Sequence, residues 1–188
     1  MALGVTDLKK GTLFQLDGIP YRVIEYAQKV MGRGGSIVNV KIKSLLDGKV
    51  LEKTFKGNES LEPADVSYKN VQYLYHDDAS YYFMDETTYD QFELSKDDVG
   101  DQASYLKEGD IVQAQLFDNR PISVALPKNV SLKVTYAENV VKGDTSSAIT
   151  KDAQLETGTT VKVPAFIKEG DVISVDTATG AYRARIKG

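Results

Sequence analysis

Apolar and polar residues alternate with a period of two along much of this chain. Between Ile37 and Lys43, Val38, Val40 and Ile42 fall on one face and Asn39, Lys41 and Lys43 on the other. Val112, Ala114 and Leu116 interleave with Gln113 and Gln115, and Val130, Leu132 and Val134 with Ser131 and Lys133. Successive side chains on a strand point to opposite faces, so this period predicts half-buried β-strands. Turn dipeptides separate such runs: Asp17-Gly18 precedes Ile19-Pro20, and Asp47-Gly48 precedes Lys49. No stretch carries the periodicity of a long amphipathic helix. Ser95 to Leu106 has room for a helical turn or two, with Gly100 as a break. The chain is therefore expected to be all-β.

One phrase recurs. Leu8-Lys9-Lys10-Gly11-Thr12-Leu13, Leu106-Lys107-Glu108-Gly109-Asp110-Ile111 and Ile167-Lys168-Glu169-Gly170-Asp171-Val172 each run from an apolar residue through a lysine and a glycine into a strand. A single copy would be a generic polar turn. Three copies, each feeding a strand-like run, predict repeated small β-barrel modules.

Charge divides the chain at the same scale. Residues 1–63 carry 10 basic and 7 acidic side chains, residues 64–127 carry 4 and 13, and residues 128–188 carry 9 and 7. Two mildly basic ends thus flank an acidic centre, the pattern of an elongated protein whose ends meet a polyanion. The expected modules are 1–63, 64–127 and 128–188, with cuts near Pro63 and Pro127.

Composition narrows the chemistry. The chain has no cysteine and one histidine, His76. A histidine-based triad or a multi-histidine zinc site cannot be assembled from that inventory. His76 sits in Tyr75-His76-Asp77-Asp78, which reads as a polar turn between strands. No catalytic residue, metal site or cofactor is expected. The carboxylates between Asp77 and Asp101 read as solvated turns. Tyr73, Tyr75, Tyr81 and Tyr82 lie in the acidic stretch and read as core and cross-strand packing. The start, Met1 to Lys10, lacks a signal pattern, and no apolar run approaches the ~20 residues that span a bilayer. A cytoplasmic protein is expected.

Met31-Gly32-Arg33-Gly34-Gly35-Ser36 separates the strand-like runs Tyr21 to Tyr26 and Ile37 to Lys43. Its glycines, Gly32, Gly34 and Gly35, allow positive φ and close approach to another backbone. Arg33 at the centre offers five donors and a permanent charge, suited to phosphate or ribose oxygens. The other reading is a plain hairpin tip with a solvated arginine. No Gly-Lys-Ser/Thr follows, so this is not a nucleotide-cradling loop.

The C-terminal run is the most specific text in the sequence. It reads Lys151-Asp152-Ala153-Gln154-Leu155-Glu156-Thr157-Gly158, then Val161 to Asp171 with Pro164, Phe166 and Gly170, then Ile173 to Thr177, closing with Tyr182 and Arg185. This run resembles the C-terminal signature of the elongation factor P family. The resemblance extends over the whole chain, including Lys41 to Gly48 and Gly143-Asp144-Thr145.

The resemblance implies three β-barrel domains, the first KOW-like (SH3-like) and the other two OB-fold-like, in an L shape that imitates tRNA. It implies a monomeric, non-enzymatic factor that binds the ribosome next to peptidyl-site tRNA and stimulates peptide bond formation, especially at consecutive prolines. The first-domain loop would reach the acceptor end of the peptidyl-tRNA through Arg33. Gly143, Asp144 and Thr145 would contact the small subunit. Family members carry at the tip either a covalently extended lysine or, in one branch, a rhamnosylated arginine. Here Arg33 excludes lysine-specific extension, while Gly34 stands where the rhamnosylated branch often has asparagine. An unmodified arginine and an arginine-modifying enzyme as partner both remain open. A paralogue of the family with arginine at the tip, or a general OB-fold RNA-binding protein, are the alternative readings; a membrane partner is not expected.

Overall fold

A computed structural model describes residues 2–31, 35–139 and 150–186. The chain forms two compact units, Met1–Tyr68 with Gln115–Ile122, and Lys69–Ala114 with Ser123–Gly188. Strands dominate, as the alternation predicts. Among the described residues no helix is long and apolar enough to cross a membrane.

The N-terminal strands are β1 (Leu3–Gly4), β2 (Leu13–Leu16), β3 (Ile19–Met31), β4 (Gly35–Ser44), β5 (Val50–Lys56) and β6 (Ser60–Pro63). They form one antiparallel sheet in the order β1-β6-β2-β3-β4-β5. Val38, Val40 and Ile42 are all buried, on the face the sequence assigns to the core. Phe14 anchors that core, with its ring centroid 6.0 Å from Tyr21 and 6.4 Å from Phe55. Asp17 and Gly18 have φ of 52° and 74° and link Leu16 directly to its partner Ile19. That is the two-residue hairpin turn expected of Asp-Gly.

The central sheet holds β7 (Val66–His76), β8 (Ser80–Asp85), β9 (Gln91–Ser95), β10 (Ile111–Phe117) and β11 (Arg120–Ala125), ordered β11-β10-β7-β8-β9. After β9 comes a single helical turn, Lys96–Val99, capped by the Ser95 hydroxyl, which accepts from Asp98 N at 3.2 Å. Gly100, at φ 63°, ends it, and a 3-10 segment runs on to Tyr105. The third sheet holds β12 (Asn129–Ala137), β13 (Thr150–Leu155), β14 (Thr160–Pro164), β15 (Val172–Asp176) and β16 (Tyr182–Ile186), ordered β14-β13-β12-β15-β16. β12 is shared: Asn129 to Lys133 pair with β15, and Val134 to Ala137 pair with β13. Splitting one strand between two ladders curls the sheet around a core of Leu132, Val134, Leu155, Val163, Ile167 and Ile173.

The recurring lysine-glycine phrase is one device used three times. Thr12, Asp110 and Asp171 donate their N–H to the carbonyls of Lys9, Lys107 and Lys168, at 2.9, 3.0 and 3.1 Å. The glycines between sit at φ 93°, 88° and 90°. Each glycine N–H then donates to a buried residue on a long strand: Gly11 to Val23 at 2.7 Å, Gly109 to Tyr73 at 2.8 Å and Gly170 to Val134 at 2.9 Å. Those residues donate back to the carbonyls of Thr12, Asp110 and Asp171 at 3.0, 2.9 and 2.8 Å. Val23, Tyr73 and Val134 are the positions where the register of β3, β7 and β12 shifts. A bulge leaves backbone groups without ladder partners. Here the turn supplies them and fixes the bend of the bulged strand.

A side chain at these glycines would meet no atom within 4 Å, so only backbone strain opposes it. Gly109→Ala is expected to cost about 1–2 kcal/mol for the left-handed φ, or a drop of about 2–8 °C in thermal midpoint. Gly109→Asn should cost less and Gly109→Val more. Differential scanning calorimetry of the three variants checks this order.

A second device also appears three times. Ser44, Asp85 and Asp176, all buried, end β4, β8 and β15. Their side chains accept from the backbone two and three residues on: Ser44 from Leu46 and Asp47 at 3.4 Å, Asp85 from Thr87 and Thr88 at 2.8 and 3.1 Å, and Asp176 from Ala178 and Thr179 at 2.9 and 3.1 Å. The next residue has positive φ in each case: Gly48 72°, Tyr89 62° and Gly180 71°. Asp47-Gly48 thus serves a longer loop, not a two-residue hairpin.

Asp176 also accepts from Arg183 Nη2 at 2.6 Å. That guanidinium, with the Thr179 and Ala178 amides, holds the carboxyl down at about 2. A carboxyl depressed below its unfolded value of about 3.9 stabilises the fold above that pH. The contribution is lost as pH falls from about 4 toward about 2. Asp176→Asn should therefore lower the thermal midpoint at pH 7, and the gap to the parent should close across that acid range. A gap constant from pH 7 to pH 2 would show that the charge has no part in it.

Candidate nucleic-acid interface

The β3–β4 hairpin is the longest feature of the first unit. Its ladder runs from Tyr21–Ser44 to Met31–Gly35. The expected loop of six residues is therefore too long: Met31, Gly35 and Ser36 are strand residues. The sequence hides this because Ala27, Gln28 and Lys29 are all exposed, so β3 has no buried face and no alternation there, although its partner Val38 on β4 is buried. What extends it is backbone pairing. β5 supports β4 as far as Ile37–Lys56, and Gly57 N–H donates to Ser36 O at 2.7 Å. A side chain at Gly57 would sit 3.0 Å from Ser36 O, so the glycine permits this close approach. Gly32, Arg33 and Gly34 lie outside the described residues.

Charge along the ribbon is partly engaged. Lys41 lies 3.2 Å from Glu25 Oε1 and 4.0 Å from Glu52 Oε1. These side chains, with Asn39, Lys53 and Thr54, line a groove of about 420 Å³ on the outer face. Lys29, Lys53 and Lys56 are exposed. The basic character of this end therefore rests on those lysines more than on Lys41.

In the second unit, Tyr182 packs half-buried against the third sheet's core. Arg185, three positions along β16, projects over Phe166, its guanidinium carbon 5.7 Å from the ring centroid. The two signature residues thus differ: one packs, one is displayed. Gly143, Asp144 and Thr145 lie outside the described residues. The signature gives Phe166 no separate role; its signal is an aromatic in the break between strands, where alternation does not demand one.

His76 is on the surface, as its polar surroundings predict, but Tyr75 and His76 are the last residues of β7, paired with Tyr82 and Tyr81, and of the expected turn only Asp77 and Asp78 lie beyond the strand. Its Nδ1 is 2.8 Å from Tyr73 Oη, and its ring stacks on Tyr81 at 5.0 Å. Burial, with Tyr81 and Glu108 nearby, pushes the Tyr73 phenol up to about 12. Tyr73 and Tyr81 are buried, and Tyr75 stacks across the strands on Tyr82 at 4.6 Å.

Three family models match the chain in succession. The elongation factor P KOW-like domain matches residues 4–61, the elongation factor P OB domain residues 66–124, and the elongation factor P C-terminal domain residues 130–185. Similar proteins named elongation factor P occur in Helicobacter hepaticus at 46% identity and Wolinella succinogenes at 43%, each over 100% of both chains. Among solved structures, eukaryotic translation initiation factor 5A from Methanococcus jannaschii aligns at 18% identity with a TM-score of 0.43, over 66% of this chain and 94% of that one. On the matches to its full length, with a mostly β architecture of one KOW-like, one OB and one C-terminal segment, this chain belongs to the elongation factor P family of translation elongation factors.

Proposed function

We propose that this protein works on the ribosome in the cytoplasm, beside the peptidyl-site tRNA, and speeds peptide bond formation at consecutive prolines without itself being an enzyme. The observation that carries this reading is the β3–β4 ribbon, paired out to Met31–Gly35, with Gly32-Arg33-Gly34 as the next residues of the chain. A ribbon paired this far, with β5 backing β4 as far as Ile37, is a stiff arm, and the arginine it carries can bond phosphate and ribose oxygens. The role is positional. Holding the acceptor end in an attacking geometry removes an entropic barrier that can reach several kcal/mol, with no acid, base or nucleophile.

The modules are 1–63, 64–127 and 128–188. The first and third meet RNA; the acidic second module faces away from it. Gly143, Asp144 and Thr145 contact the small subunit. Neutralising phosphates releases counterions, so affinity for ribosomes should fall as salt rises. Lys53→Glu with Lys56→Glu should weaken binding more than Lys41→Glu, since Lys41 already faces two carboxylates. Equilibrium binding to purified ribosomes across a salt series is the test, and a flat series sinks the reading. Intact mass of the protein from its native host decides whether an enzyme adds a group to Arg33.

A further inference from the structure

The third sheet displays an aromatic ring that its core does not use. Ile167 N–H donates to Pro164 O at 3.1 Å, so the chain turns at 164–167 and Ile167 is fully buried. Phe166, on the outside of that turn, is left 56% exposed. Arg185 crosses over the ring from β16. Its Nη1 lies 3.8 Å from Asp171 Oδ2, an oxygen that also accepts from Lys168 N at 2.9 Å. Asp171 is thereby fixed by the same turn that grips the bulge at Val134, and it holds the guanidinium in place beside the ring.

We propose that Phe166 and Arg185 form a stacking platform for an unpaired nucleotide of ribosomal RNA. The base stacks on the open face of the ring, and its phosphate meets the guanidinium. This rests on the reading that the protein acts on the ribosome. A nucleotide couples a flat π-face to an anion at short range, and the platform couples a flat ring to a cation at the same range. Arg has five donors, and Asp171 faces one end of the fork, so others are open to phosphate. Residues 128–188 carry 9 basic and 7 acidic groups, a balance that favours a polyanion. Ribosomal RNA is the committed source because it supplies most unpaired nucleotides in a ribosome; tRNA bases are largely paired or stacked. In the bland alternative Arg185 only shields Phe166 from water.

The test uses the full chain on purified ribosomes carrying peptidyl-tRNA. With Phe166→p-benzoylphenylalanine, irradiation should crosslink the protein to ribosomal RNA. Phe166→Leu keeps apolar bulk and should weaken binding about five- to hundredfold, with the thermal midpoint unchanged. Arg185→Gln should reduce the slope of log affinity against log salt by about 0.7. A crosslink only to tRNA, only to ribosomal protein, or to nothing while the parent binds, overturns the platform. So do Leu and Gln variants that bind as the parent does. A parent that fails to bind ribosomes overturns the proposed function instead, and is read before any variant.

Discussion

Arg33→Ala should leave ribosome binding nearly intact while slowing peptide bond formation at a proline pair by about 10–100-fold. Under the proposed function the whole interface would hold the factor in place, so one guanidinium would add little to docking. Its value would lie in orienting the acceptor end, where misplacement by an ångström can cost about that factor. Arg33→Lys should recover only part of the rate, because lysine keeps the charge and loses the planar fork. Single-turnover synthesis on a ribosome stalled at two prolines, beside equilibrium binding at matched salt, separates the cases. Binding and rate falling together would make Arg33 an anchor. No change in either would leave it a solvated residue and move the function elsewhere.

Tyr105→Ala should destabilise the second unit by about 3–5 kcal/mol, the range for losing a large buried aromatic. Tyr105 ends the 3-10 segment after β9, yet its ring is buried in the third sheet's core with Leu132, Val134 and Ile173. The residues before it are also committed: Ser104 O accepts from Thr159 Oγ1 at 2.9 Å, and the Gln102 side-chain Oε1 from Leu126 N at 2.8 Å. One aromatic side chain thus joins the core of one sheet to the loop of another within the same unit. Tyr105→Phe should cost little, since the packing survives. Urea unfolding should show one transition in the parent; in Tyr105→Ala the third sheet should unfold at lower urea than the central one.

The alternating strands were legible because burial on one face writes a period of two, as at Val38, Val40 and Ile42. The lysine-glycine turns were legible because φ near +90° demands glycine three times over. The far half of the ribbon was not, because Ala27, Gln28 and Lys29 bury nothing and leave no pattern. The loops after Ser44, Asp85 and Asp176 were missed for another reason. Those positions require only a short acceptor side chain, and serine and aspartate do not read as a repeat. The placement of Tyr105 could not be read locally, since an aromatic at the end of a 3-10 turn does not announce whose core it enters. Of the candidate contacts, Tyr182 and Arg185 can be placed, and Arg185 gains a partner in Phe166 that the signature alone did not single out.

The grip between turn and bulge also bears on how the chain acquires its fold. Gly11 meets Val23, 12 residues away, whereas Gly109 meets Tyr73 and Gly170 meets Val134, each 36 residues away. Closing a threefold longer loop costs about 1 kcal/mol more in chain entropy. The order differs too: in the first module the turn leads and the bulge follows, while in the other two the bulged strand must wait for its turn. During synthesis the first grip can form once residue 23 is free, and the last only once residue 171 is free. The arm that carries Arg33 therefore grows from a base that can be locked early, and the sheet that carries Phe166 and Arg185 closes last.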